Sequence, residues 1–197
     1  MKPILTAQVG DNSDVFPDIL ELYANAGDVI ADTTYGKGVF WRNVNTALYD
    51  FHPSDITTGV DYNALPYKSD TMDMIVFDPP YMGHNGGKNY AVARNYNVSV
   101  PKYSKDYIRS LYYNAIEEMW NVLKKGGRLV VKCQDEIQSG KQRMNHIEII
   151  EFATANGYRV EDLFVVVQKN SPMMRHPYQL HARKNHSYFI VFTKVKK

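Results

Sequence analysis

Short β-rich runs alternate with segments of helical apolar spacing along this chain, and a chain so patterned is held to a parallel sheet covered by helices. The β-rich runs fall at 28–33, 46–51, 57–65, 72–78, 128–134, 160–168 and 187–194. Between them, 14–26 reads as a helix that Pro17 helps to start, with Ile19, Leu20, Leu22 and Tyr23 available for an inner face. Ile108, Leu111, Ala115, Met119, Val122 and Leu123 recur at helical spacing, and Gly126 and Gly127 close that helix. A further helix is expected over 143–156, ending near Gly157. No helical pattern separates the last two runs, which are joined by 169–186. The expected fold is therefore α/β: a doubly wound, mostly parallel seven-stranded sheet finished by an antiparallel C-terminal hairpin. At 197 residues the chain is expected to form one domain, 1–197.

With 44% hydrophobic and 22% charged residues, disordered and fibrous classes drop out. No apolar run approaches the roughly 18 residues of a membrane span, and the first residues are too short an apolar stretch for a signal peptide. An intracellular, cytoplasmic protein with no membrane partner is the expectation. The lone Cys133 excludes an internal disulfide and a cysteine-based zinc site, and the histidines lack the clustered carboxylates of a metal centre, so no metal is expected. The net charge of +2 hides an asymmetry, because residues 163–197 carry seven Lys/Arg and no acid. Residues 79–105 are a second acid-free stretch. Two basic segments on an otherwise acidic body point to a local surface facing a polyanion.

The run ending in Asp32 leads into Thr33-Thr34-Tyr35-Gly36-Lys37-Gly38. Two glycines spaced by one residue allow a tight turn and a close approach to a ligand, with the following helix N-terminus offering free N–H groups. A plain tight turn has the same sequence, so this signal alone leaves both readings open. The next run is taken to end at Asp50, an acid placed to accept hydrogen bonds from ribose hydroxyls; a turn or capping aspartate is the alternative. Asp61 is taken to end the third run, where it could meet a cofactor's base.

The fourth run ends in Asp78-Pro79-Pro80-Tyr81. Two prolines cannot continue a central strand, so they fix the backbone at its carboxyl end, where ligands bind in open α/β sheets. Asp78 and the Pro79 carbonyl can each accept one hydrogen of an exocyclic amino group on a planar base, while Tyr81 stacks on the ring. Such bonds pyramidalise the amino nitrogen and aim its lone pair at an electrophile without a covalent enzyme intermediate.

With these residues in view, the chain resembles the S-adenosylmethionine-dependent amino-methyltransferases that modify adenine or cytosine in DNA. Asp78-Pro79-Pro80-Tyr81 matches their catalytic motif and residues 32–38 look like their cofactor glycine motif. Phe16-Pro17, the run from Asp61 into 73–77, Lys125-Gly126-Gly127 and the last strand are also similar, so the resemblance spans about residues 14–194. It implies a Rossmann-like class I methyltransferase fold, S-adenosylmethionine as cofactor, and base flipping into the site. It places Asp78, Pro79, Pro80 and Tyr81 at the target base, and Phe16, Asp32, Thr34, Gly36, Gly38, Asp50 and Asp61 on the cofactor side. The chain departs from the family pattern in having Asp32-Thr33-Thr34 where many relatives have Asp-Pro-Phe. The helix usual between the second and third strands is missing or reduced to a turn. Cys133, inside a strand, reads as a buried structural thiol rather than as a nucleophile for ring-carbon methylation.

Polymer contact is expected from two loops, because nearly the whole length is used by the catalytic domain and no separate target-recognition domain remains. The first, 82–105, interleaves Lys88, Arg94 and Lys102 with tyrosines; a solvated lid is its alternative reading. The second, 169–186, carries Arg175, Arg183 and Lys184. The expected partner is DNA, with nucleoid association in that case, and recognition is helped by a homodimer or an accessory subunit. Alternatives are an RNA base amino-methyltransferase, a cytosine N4 enzyme, and a catalytically silent nucleic-acid-binding module.

Overall fold

The computed structural model describes residues 3–79, 107–138, 140–168 and 179–195. In chain order these form β1 (Ala7–Val9), α1 (Asn12–Tyr23), β2 (Val29–Asp32), β3 (Asp50–Pro53) and β4 (Met72–Phe77), followed by α2 (Tyr107–Val122) and β5 (Leu123–Cys133). A small hairpin, β6 (Glu136–Gln138) and β7 (Lys141–Arg143), precedes α3 (Asn145–Ala155), β8 (Tyr158–Val167) and β9 (His186–Lys194). Seven strands make one sheet in the order β1-β8-β9-β5-β4-β2-β3. Every pair in it is parallel except the two made by β9, which runs antiparallel to both β5 and β8.

Side chains alternate between two cores, as the period of a strand requires. Ile75 and Phe77 of β4 and Leu129 and Val131 of β5 face Tyr112, Ile116 and Met119 of α2 and Ile149 and Ala153 of α3. Met74, Val76 and Val130 face the other way, onto Val15, Phe16, Ile19 and Leu20 of α1 and onto Phe40 and Trp41. The doubly wound architecture, the parallel core and the antiparallel C-terminal pair are thus as expected. Among the described residues, no helix is long and apolar enough to cross a membrane.

The seven strands are not the seven expected. Residues 57–65 form no strand: Asp55 caps a 3-10 turn over Ile56–Thr58, and Gly59 leaves it in a left-handed conformation (φ 83°). The seventh strand is instead β1, three residues on the sheet edge beside β8. The run at 46–51 begins as a 3-10 turn, Thr46–Leu48, so β3 starts rather than ends at Asp50. Gly126 and Gly127 lie within β5 rather than closing α2; β5 bulges there, its partner jumping from Leu123 to Arg128 as β4 advances from Met72 to Met74. A Cβ on Gly127 would stand 2.8 Å from the Lys124 carbonyl oxygen, which the bulge does not permit.

Helix α1 begins at Asn12, so Pro17 sits inside it and not at its start. Proline has no N–H for the carbonyl four residues back, here Ser13. The Asn43 amide donates to that carbonyl at 2.9 Å and takes the missing role. Asn43→Ala is therefore expected to cost about 0.5–1.5 kcal/mol in urea unfolding, the net worth of a part-buried hydrogen bond. Leu22, expected on the inner face, is 47% exposed, and Val15 and Phe16 are buried in its place.

Candidate active site

The sheet's carboxyl edge gathers the polar residues. Asp32 ends β2, Asp78 follows β4, Lys132 lies near the end of β5, and Ser187 near the start of the antiparallel β9. Because Val76, Val130 and Phe189 face α1, Asp78, Lys132 and Ser187, each two residues from one of them, share that face. Register puts them side by side, since Phe77 pairs with Val131 and Lys132 with Phe189.

Thr34 ties two of these strands together, for its hydroxyl accepts the Asp78 N–H at 2.6 Å while its own N–H donates to Asp32 Oδ1 at 2.9 Å. The other Asp32 oxygen accepts the Trp41 indole N–H at 2.7 Å. Burial pushes the Asp32 carboxyl up to about 6, with the Trp41 and Thr34 hydrogen bonds opposing. Asp32 therefore acts as the anchor of the glycine turn, with both oxygens engaged. Gly36 and Gly38 have φ of 53° and 63°, the left-handed region where a side chain is strained, and a Cβ on Gly38 would meet the Tyr35 ring. The turn leads into a four-residue 3-10 helix, Phe40–Asn43, in place of the α-helix N-terminus expected from the glycine spacing.

Asp78 Oδ1 is buried and has no hydrogen-bond partner among the described residues. An acceptor left so is costly unless a ligand completes it. Burial pushes the Asp78 carboxyl up to about 7; Lys132 acts to lower it and Asp32 to raise it. Lys132 is 1% exposed. Its ammonium donates to Asn12 Oδ1 and Ser187 Oγ, both at 2.7 Å, and lies 3.9 Å from the Phe189 ring centre. Neither Lys132 nor its partners stand out in the sequence as site residues. The signal was the strand period, which turns position 132 to the same side as the core residue Val130.

Asp50 is corrected: it opens β3 opposite Val29, at the amino edge, exposed and paired with His52 at 3.1 Å. The acid at the carboxyl end of that strand is Asp55. Its carboxylate accepts the N–H of Gly36 at 2.9 Å and of Thr57 at 2.6 Å. Burial would raise its titration, but these hydrogen bonds and that of Thr58 hold it below the usual carboxylate value. Asp61 ends no strand; it is exposed in a turn and accepts from Asn63. The neighbouring Tyr62 packs on Phe77 at the carboxyl end of β4, so Asp61 stays near the site. Phe16 is fully buried among Phe40, Trp41 and Phe189, with ring centres 4.9–5.9 Å away. Cys133 is buried and free, with its thiol pushed well above the ordinary range by burial, as a structural thiol should be.

Strand direction settles where the last loop opens. β8 is parallel to β5 in the sheet, and Val167 at its end pairs with His186 at the start of β9. The segment between them therefore leaves from the same edge as Asp78. Its neck is closed by Gln168 N–H to the Asn185 carbonyl at 2.7 Å and by Gln134 to the His186 carbonyl at 2.8 Å. Arg183 and Lys184 stand partly exposed on its returning arm. Pro80, Tyr81, Lys88, Arg94, Lys102 and Arg175 lie outside the described residues.

A family model described as DNA methylase, of the N6/N4 methyltransferase type, matches residues 72–197, more than half of the chain. No curated protein sequence matches. Among solved structures, TrmN from Thermus thermophilus is similar at 14% identity with a TM-score of 0.53, over 93% of this chain and 49% of that one. This chain thus spans about half the length of that relative. A SAM-dependent methyltransferase from Methanosarcina mazei is similar at 13% identity with a TM-score of 0.50, over 91% of this chain and 98% of that one. At such identities the likeness is one of fold, and the fold is that of the class I methyltransferases.

Proposed function

This chain belongs to the N6/N4 DNA methylase family, and from that premise we propose that it methylates an exocyclic amino group of a nucleic-acid base, adenine N6 in DNA, from S-adenosylmethionine. The observation that carries the reading is the buried Oδ1 of Asp78 at the carboxyl end of a central strand, without a hydrogen-bond partner among the described residues. An ionised carboxylate there accepts one amino hydrogen, and the Pro79 carbonyl accepts the other. Tyr81 stacks on the base. The nitrogen lone pair is so freed from the ring and held in line for attack. Asp78, with its carboxyl pushed up to about 7, is also suited to take the proton that the nitrogen sheds.

The residues fit the cofactor. Gly36 and Gly38 let the backbone take a left-handed turn beside that sealed acceptor, with the Tyr35 ring packed against Gly38 and the turn anchored by Asp32 and by the Thr34 hydroxyl. S-adenosylmethionine, when bound, supplies an electrophilic methyl carbon on a sulfonium. On this reading Asp32, Thr34, Gly36 and Gly38 form its side of the site, with Asp61 beyond them and Phe16 behind the turn as packing. Asp50 has no part in it, and Asp55 acts by holding Gly36.

The polymer lies along the carboxyl edge, where the base is flipped in and Lys88, Arg94, Lys102, Arg175, Arg183 and Lys184 take phosphates. A second copy or an accessory subunit adds recognition. The test is methyl transfer from labelled S-adenosylmethionine to unmethylated duplex DNA, single-stranded DNA and RNA, followed by nucleoside analysis. N6-methyladenine in DNA is expected. N4-methylcytosine, or label in RNA alone, would replace adenine or DNA in the proposal. For the loop, the double variant Arg183→Ala/Lys184→Ala is expected to weaken DNA binding and reduce the slope of log K against log salt by about 2, near 0.9 per lost phosphate contact. An unchanged slope removes this arm from the interface.

A further inference from the structure

We propose that Lys132 is a positioning residue, whose buried ammonium keeps the adjacent Asp78 ionised and the site an acceptor for amino-bearing bases. The inference rests on the role proposed above for Asp78. A lysine is among the residues least often buried, and one at 1% exposure needs partners that hold its charge. Asn12 from α1 and Ser187 from β9 supply oxygens at 2.7 Å, and the Phe189 ring supplies its face at 3.9 Å. None of these partners is charged. The carboxylate whose charge acts on it is Asp78, on the neighbouring strand, the same face and the adjoining register position.

The form of Asp78 matters chemically. As a carboxylate it only accepts hydrogen bonds, which suits the amino group of adenine or cytosine; protonated, it becomes a donor and suits a ring carbonyl. Two influences favour the wrong form: its burial and the neighbouring carboxylate Asp32. Lys132 opposes both. The groups around this pair are Asp32 from β2, with Asp55 beyond it, Thr34 from the glycine turn, Ser187 and Phe189 from β9, Asn12 from α1 and, on the opposite face of β5, Cys133 with Asp135 beyond it. Lys132 is the cation among those described.

The coupling is measured without substrate, by carbon-13 NMR titration of the Asp78 carboxyl in the full chain. Lys132→Met is expected to raise its midpoint by about one pH unit or more, a tenfold shift. The acid limb of the methyl-transfer profile then moves by the same amount, and Lys132→Arg holds both near wild type. A folded Lys132→Met protein with an unmoved midpoint, or with a rate loss equal at every pH, overturns the proposal. If Lys132→Met does not fold, the reciprocal measurement decides, because linkage is symmetric. Asp78→Asn must lower the Lys132 ammonium midpoint, followed by nitrogen-15 NMR; an unmoved midpoint overturns it. Absence of methyl transfer in wild type with both titrations as expected would refute the function assigned to Asp78, leaving the charge coupling intact.

Discussion

Replacing Asp78 by alanine is expected to lower methyl transfer by about 10³-fold, the scale of losing an aligned charge-stabilising group in a closed site. Binding of S-adenosylmethionine, followed by calorimetry, is expected to stay close to wild type, because the glycine turn proposed to hold it is built on Asp32, Gly36 and Gly38. Among the described residues, the hydrogen bond of residue 78 to that turn comes from its backbone N–H, through Thr34, and alanine keeps it. Loss of cofactor binding in a folded protein would move Asp78 from the base side to the cofactor side. The wild-type rate should also carry the titration of this group. Its carboxyl is raised to about 7, and the ionised form is the acceptor, so the rate falls about tenfold per pH unit below that value and levels above it. A profile flat from acid to neutral pH would show that the ionised carboxylate is not required.

Phe16→Ala is expected to destabilise the fold by about 3–5 kcal/mol, as large-to-small changes of buried aromatics do. For a chain of this length that is on the order of 10 °C in Tm. The ring is fully buried and touches Phe40, Trp41 and Phe189, so its loss loosens α1, the 3-10 helix after the glycine turn and β9 together. Trp41 is also the donor to Asp32, which carries the damage to the turn. Phe16→Leu separates packing from contact. It should keep most of the stability and cofactor affinity near wild type; a stable leucine variant that binds cofactor weakly would put the ring against the cofactor itself.

Periodicity made most of the sheet readable, and its failures have local causes. β4, β5, β8 and β9 are long and apolar enough for their pattern to prevail over their surroundings. β1 is three residues on an edge, too short for a period to show, and exists because its N–H and carbonyl groups pair with β8. Residues 57–65 have strand-like Thr and Val, yet Asp55 captures the N–H of Thr57 with its side chain and winds the segment into a turn. That same aspartate does not stand out in the sequence, because the apolar run before it begins at 46, four residues ahead of the strand itself, and makes Asp50 look like the strand's end. Pro17 is the opposite case: its missing donor suits a helix start, whereas a distant asparagine side chain lets the helix run through it.

What the sequence by itself determined is the α/β pattern and the Asp-Pro-Pro-Tyr ending of a central strand. Both are local, set by the side-chain period and by what proline does to a backbone. Only the tertiary structure decided which groups meet. It set Lys132 beside Asp78 and Asn12 against Lys132, 120 residues away in sequence, and sealed Asp78 Oδ1 without a partner among the described residues. It also brought the loop carrying Arg183 and Lys184 to the same edge as Asp78. Those facts depend on strand order, direction and register, which arise from long-range pairing and burial rather than from any residue's own preference.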